Sequence, residues 1–290
     1  MLDFFLTLSL IAIIIGSWTD IRTLEVPDWL NYTLIAVGIG GNLIYTIVEW
    51  DAIFIIRSLL GLAAALALGL LMFYTGQWGG GDSKMLFGLG AMIGVNWPLR
   101  LDFFWMFLVN MLFAGAAYGL AWVIAMAIIY RKKLSKKISA MLKDKKLTRI
   151  RLVSGLAAVT ALIIIFFIQI DNFAKLALTT MLVLLYFLNY MFVLIKAVEE
   201  VAMIKTVDPE KLTEGDWIAQ EIKVDGKHIA GPKELGLEKK QLKEILALKA
   251  LGKITKVKVK YGIPFVPSFL IAFVFTLVTN QIVLLMLLNY

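Results

Sequence analysis

The stretch Gly79–Val95, GGGDSKMLFGLGAMIGV, decides the topology of the whole chain. Three consecutive glycines lead into Asp82, and the apolar run that follows carries a single charge, Lys84. Taken as residues 83–97, the run is short for a helix crossing a hydrocarbon layer of about 30 Å. Gly88, Gly90 and Gly94 suit a tilted helix, close packing against neighbours, or a partly re-entrant path. If the run spans, the chain keeps its alternation across the bilayer. If it turns back, every later segment inverts.

Seven more apolar segments lie outward from it, at 2–19, 30–48, 53–75, 103–129, 152–170, 174–197 and 263–288. Over 290 residues the chain is 60% hydrophobic and 17% charged, against roughly 25% charged in soluble domains. Mean hydropathy is +0.84. A soluble domain has no place to bury that much apolar surface. The pattern predicts an all-α polytopic membrane protein of about eight transmembrane helices with a small cytoplasmic α+β insert. The first segment does not read as a cleavable signal, because it lacks a basic start and is followed by Asp20-Ile21-Arg22.

The cations settle the fourth segment. With the N-terminus outside and every segment spanning once, 26 of the 29 Lys and Arg fall inside, and only Arg57, Arg100 and Lys175 stay outside. Without the long stretch 199–262 the ratio is still 13 to 3. A re-entrant fourth segment would put the basic segment 131–151 outside, so the spanning reading is preferred. The net charge of +8 then belongs to membrane flanks, with no nucleic-acid partner implied. The expected organisation is a membrane core at 1–130, a basic cytoplasmic loop at 131–151, two additional spans at 152–198, a small cytoplasmic domain at 199–262 and a final transmembrane helix at 263–290. In 199–262, Asp225-Gly226 marks a hairpin between strands at 217–224 and 227–229. Residues 237–251 read as an amphipathic helix and 254–261 as a half-buried strand.

With no Cys and one His, the chain excludes disulfides, Cys-based metal sites and an HExxH protease. The one His, His228, sits beside the predicted hairpin turn, far from the spans. No metal site and no cofactor are expected. Carboxylates remain for chemistry, and acids near a membrane span are functional hypotheses by default. Most of the 21 acids have ordinary explanations, such as Asp28 as the N-cap of the second helix and Glu49, Asp51, Asp102 and Asp171 in short outside loops. Asp20, closing the first helix, and Asp82, opening the fourth, stand out at the same cytoplasmic boundary. Gly79, Gly80 and Gly81 beside Asp82 suit unusual backbone angles or close approach of another chain, such as an extended peptide. Two aspartates sharing one proton can activate water and protonate a leaving amine without metal or histidine.

These residues resemble a family. Gly79-Gly80-Gly81-Asp82-Ser83-Lys84-Met85-Leu86 is similar to the GxGD motif of intramembrane aspartic proteases, in the form found in type IV prepilin peptidases. Asp20-Ile21-Arg22 with Pro27-Asp28 resembles their other motif, and Ile263-Pro264-Phe265-Val266-Pro267 resembles the start of their final helix. The resemblance covers residues 1–130 and the last helix. It implies catalytic roles for Asp20 and Asp82, with Gly79, Gly80, Gly81 and Lys84 supporting substrate or loop. It also implies cleavage of the short leader of pilin-like precursors, prepilins or archaellins, at the cytoplasmic face of the cell membrane. The lack of Cys fits the archaeal branch and argues against N-methyltransferase activity. The expected partners are therefore the precursor substrate and the lipid bilayer, and oligomeric state is left open.

Two other functions compete. An ion-coupled transporter would use the same two carboxylates as proton or sodium sites, but would want them near the midplane. A scaffold acting through 199–262 would need neither Asp82 nor the glycine triplet. Lys84 serves either as a partner for Asp82 or substrate, or as a positive anchor. Asn31, Asn110 and Asn189 are expected to hydrogen-bond between helices.

Overall fold

The computed structural model describes residues 2–96 and 102–288, with side chains described for 3–96 and 102–279. Arg100 and the end of the fourth apolar segment, Trp97, lie outside the described residues. The helices are α1 (Leu2–Thr23), α2 (Asp28–Glu49), α3 (Ile53–Tyr74), α4 (Gly80–Ile93), α5 (Phe103–Ile129), α6 (Arg131–Leu142), α7 (Lys145–Phe167), α8 (Asn172–Val198), α9 (Lys239–Ala250) and α10 (Val266–Leu288). Short strands are β1 (Ile204–Val207), β2 (Trp217–Ile218), β3 (Ile222–Val224), β4 (Lys227–Ala230) and β5 (Val257–Lys260). Among the described residues six helices, α1, α2, α3, α5, α7 and α8, are long and apolar enough to cross a membrane. The chain is a multi-pass α-helical membrane protein with a small strand-containing insert.

The fold divides into two compact units. The first comprises Met1–Ala121, Asp208–Val257 and Tyr261–Tyr290. At its centre is α4. With 14 residues it is about 21 Å long, short of a full crossing, and it does not face lipid as an independent span. Ser83, Met85, Leu86, Gly88, Leu89, Gly90, Ala91 and Met92 are all buried. Glycines let the backbones of α2 and α3 close on it. A Cβ at Gly90 would lie 2.4 Å from the Gly61 carbonyl oxygen of α3, and one at Gly38 of α2 would lie 2.7 Å from the Ala91 backbone. Two hydroxyls tie α4 to α3: Ser58 Oγ donates to Ala91 O at 2.7 Å and Ser83 Oγ to Gly69 O at 3.0 Å. Such close approach lets dispersion hold helices together where lipid removes the hydrophobic drive.

Around this centre α1 packs on α10, and the start of α5 joins through edge-on aromatic pairs, Phe103–Phe273 at 5.3 Å and Phe107–Phe273 at 5.7 Å. Asn110 Nδ2 donates to Thr276 Oγ1 at 3.0 Å, as expected of an interhelical amide. Asn31 departs from that expectation. It is fully buried with both amide atoms unpartnered among the described residues, and nothing in the structure explains it.

The insert portion of this unit follows its turn chemistry. β3 and β4 pair antiparallel across Asp225 (φ 52°) and Gly226 (φ 79°), the left-handed pair a tight hairpin requires. The expected strand 217–224 is interrupted, leaving β2 and β3 as separate pieces. α9 buries Ile245, and its Lys249 pairs with Asp208 and Glu210. His228 is held between Glu234, 2.8 Å from Nε2, and Glu221, 3.2 Å from Nδ1.

The second unit comprises Trp122–Val207 and Lys258–Lys260. The basic segment 131–151 is not an irregular loop. Leu134, Ile138 and Met141 recur at helical spacing and pack on Val193, Ala197 and Val198 of α8, so α6 forms over Arg131–Leu142. Asp144 then caps α7, accepting from Lys146 N and Leu147 N at 3.0 Å. α7 and α8 pair along their length, with Asn189 Nδ2 donating to Ser154 Oγ at 3.3 Å. β1 lies beside β5.

Gly90→Ala is expected to destabilise the protein by about 1–3 kcal/mol through overpacking against α3, whereas Gly40→Ala, with nothing within 4 Å of its Cβ, is expected to be neutral. Thermal unfolding in micelles distinguishes them, and equal stability of the two variants contradicts the packing. Bonding to Glu234 and then Glu221 raises the His228 pKa above its ordinary 6.5. The folded state binds this proton more tightly, so its stabilising effect is full below pH 6.5 and disappears as pH rises through the raised folded value. An NMR titration of the ring should show a midpoint above 6.5; a midpoint at or below it contradicts the pairing.

Candidate active site

Asp20 lies in the last turn of α1 and is only 4% exposed. The helix ends when Leu24 adopts φ 58°, its N–H donating to the Asp20 carbonyl at 2.8 Å. This left-handed turn sends Glu25-Val26-Pro27 back towards α4 and into α2. Asp28 is not the N-cap expected from sequence. Pro27 holds that position with no side-chain cap, and Asp28 occupies the first turn.

The partner of Asp20 comes from the far end of the chain. α10 begins at Val266, and Pro267 next to it has no N–H. The residue before the helix is Phe265, which offers no capping oxygen, so the exposed Val266 N–H needs an acceptor from elsewhere. It donates to Asp20 Oδ2 at 2.9 Å, across 246 positions of sequence. A buried carboxylate requires such donors, and a helix N-terminus favours negative charge through its dipole.

Asp82 sits in the first turn of α4, where its Oδ2 accepts the Gly79 N–H at 3.0 Å. The carboxylate thus satisfies the N–H of its own helix's N-cap residue, the part that the third residue plays in a capping box. Two close contacts bracket the pair. A Cβ on Gly16, one turn before Asp20, would fall 2.5 Å from Met85 Cε and 3.5 Å from Val266 Cγ1. A Cβ on Gly81, next to Asp82, would fall 3.3 Å from the Val26 backbone nitrogen. The end of α1, the start of α4 and the start of α10 therefore converge. Asp20 and Asp82 are close enough for the charge of Asp20 to act on Asp82.

The glycine triplet is used differently from the sequence expectation. Gly79 has ordinary extended angles (φ −72°, ψ 164°), and a Cβ at Gly80 would make only ordinary contact, 3.8 Å from the Phe73 ring. Close approach is confined to Gly81, and the chain that approaches is the protein's own Val26. Lys84 turns to Asp28, its Nζ 2.6 Å from Oδ1 and 5.5 Å from the Tyr32 ring, tying the start of α4 to the start of α2. Among the described residues no group of three or more His, Asp or Glu side chains is arranged to hold a metal ion.

Three neighbours escape a reading of the sequence. Val266 acts through its backbone, which no side-chain motif reveals; the signal is a helix start without a capping residue. Tyr118 of α5 senses the Asp20 charge, and a tyrosine inside an apolar span was the available clue. Trp78, 6% exposed, packs at an angle against Phe265 and edge-on against Phe269 with centroids 5.6 and 5.3 Å away, joining the glycine triplet to α10.

Residues 6–130 match the type IV leader peptidase family, the region that holds both aspartates. A curated protein named preflagellin peptidase, from Methanocaldococcus jannaschii, is 32% identical over 91 residues, 31% of this chain and 38% of that protein. A second of the same name, from Methanococcus maripaludis, is 36% identical over 83 residues, 29% of this chain and 36% of that protein. The matched stretch thus spans little more than a third of the length of these relatives. No solved structure matches. The resemblance to the prepilin and preflagellin peptidase family stands on these matches.

Gly81→Ala is expected to lower thermal stability and displace the Val26 turn, while Gly80→Ala leaves stability within about 1 kcal/mol of the parent. A Gly81→Ala protein as stable as Gly80→Ala contradicts the close approach.

Proposed function

We propose that this protein is a membrane-embedded aspartic endopeptidase that removes the short leader peptide of pilin-like precursors, prepilins or archaellins. The observation that carries the reading is the convergence of Asp20 and Asp82 at one end of the buried helix α4, within the stretch that matches the leader peptidase family. The names of the two relatives support a substrate of the archaellin type. The distribution of cations supports an N-terminus outside and a site at the cytoplasmic face.

In this reading each aspartate has one oxygen held by a backbone donor, Val266 N–H on Asp20 and Gly79 N–H on Asp82. Asp20 also has the Phe265 backbone beside it, and water and substrate approach the side of the pair that these amides do not cover. The ionised member of the pair takes a proton from water as the water oxygen attacks the scissile carbonyl carbon. The protonated member polarises the carbonyl oxygen, and a proton passes to the departing amine nitrogen as the C–N bond breaks. The pair acts as one titrating unit, so acid and base are not assigned to individual residues. Both backbone donors belong to elements packed in the core, which fixes the carboxylates before substrate arrives. The position of both aspartates at helix ends, rather than mid-helix, disfavours the ion-coupled transporter.

Asp20→Asn and Asp82→Asn are each expected to reduce leader cleavage of a pilin-like precursor to background, with membrane insertion retained. Asp28→Asn, which only loosens the Lys84 contact, is expected to keep cleavage. Full cleavage by either of the first two variants overturns the proposal.

A further inference from the structure

A groove of about 380 Å³ lies between α7 and α8, lined by Thr148, Arg151, Leu152, Gly155, Leu156 and Val159 on one side and Tyr186 and Tyr190 on the other. Its two ends differ in chemistry. At the start of α7 sit Arg151 and Thr148, while one and two turns further on sit Gly155 and Val159, about 6 and about 12 Å along the axis from Arg151. Leu152, Leu156 and Val159 are 60%, 65% and 55% exposed. This end of the groove is therefore an open apolar surface on a membrane helix.

The polar end is built. Arg151 Nη2 donates to the Leu142 carbonyl and to Thr148 Oγ1, which fixes the guanidinium in place. Its Nε is buried and has no partner. Arg151 forms no ion pair among the described residues. A guanidinium offers five donors in a planar fork suited to phosphate. Tyr186 and Tyr190, with hydroxyls 3.5 Å apart, present further donors from α8. Lys143, Lys145, Lys146 and Arg149 adjoin this end, and none of them is in an ion pair among the described residues. The one acid nearby, Asp144, is used as the α7 cap.

We propose that this groove is a binding site for an anionic phospholipid, with the phosphate on Arg151 and the tyrosine hydroxyls and an acyl or alkyl chain along Leu152, Leu156 and Val159. The surrounding cations favour a headgroup with net negative charge over a zwitterionic one, whose ammonium they repel, and the apolar wall selects an amphiphile over a free anion. Basic pockets between membrane helices are known to recognise acidic lipid headgroups in this manner. The site is independent of Asp20 and Asp82, because all of its residues belong to the second unit.

The test is native mass spectrometry of the full chain in a neutral detergent, with phosphatidylglycerol, phosphatidylcholine or inorganic phosphate added. Phosphatidylglycerol is expected to be retained at least tenfold more than phosphatidylcholine, and inorganic phosphate is expected not to bind. Arg151→Gln should lower phosphatidylglycerol retention at least tenfold. Gly155→Leu, which blocks the middle of the groove where a Cβ would already lie 3.5 Å from the Tyr186 ring and leaves the arginine contacts intact, should do the same. Tyr190→Phe gives a smaller loss and guards against a folding defect in the other two. Equal retention of the two lipids, retention unchanged in all three variants, or binding of inorganic phosphate alone overturns the proposal.

Discussion

Helix α4 has 14 residues, and that length constrains everything around it. A helix of about 21 Å is shorter than a hydrocarbon layer, and the backbone that follows it at Gly94 and Val95 is buried in protein. Protein must supply its hydrogen bonds. The Val95 N–H accordingly donates to the Arg57 carbonyl of α3 at 2.9 Å, and Ser58 reaches the Ala91 carbonyl. Encasing a short helix this tightly demands glycine on both sides of the contact, at Gly61 and Gly90. The glycine-rich composition of the stretch is thus a packing requirement before it is anything else.

Encasement has a chemical consequence at the other end. The start of α4 meets the end of α1 and the start of α10, which brings Asp82 within reach of the Asp20 charge. Each carboxylate is anchored by a backbone N–H at a helix start, one local and one from the far end of the chain. Backbone donors in a packed core move little, so both carboxylates are held by groups that are themselves fixed. The same geometry explains why α10 lacks a capping side chain of its own: Asp20 is its cap.

Hydropathy was enough to find the long apolar helices, because crossing a bilayer is a property of local composition. The hairpin at Asp225-Gly226 was equally legible, since two left-handed residues in a row leave little choice. The two aspartates stood out because an acid beside a span has to be explained. What could not be read was contact between distant segments. Asp28 looked like a cap, yet Pro27 precedes the helix and Asp28 answers Lys84, 56 residues away. The glycine triplet looked like one feature, but only Gly81 meets another backbone. The basic segment looked like a loop because its cations hide an apolar stripe, Leu134, Ile138 and Met141, that needs α8 to form α6.

The central claim is that Asp20 and Asp82 face one another where α1, α4 and α10 converge. The natural absence of cysteine makes this directly measurable. In membranes carrying the Asp20→Cys, Asp82→Cys double variant, mild oxidation or a short bifunctional thiol reagent should join the two positions efficiently. A control pair, Phe5→Cys with Asp82→Cys, places its thiols towards opposite ends of the core and should stay unlinked. Failure of the first pair to cross-link, or linkage of the control to the same extent, would contradict the account.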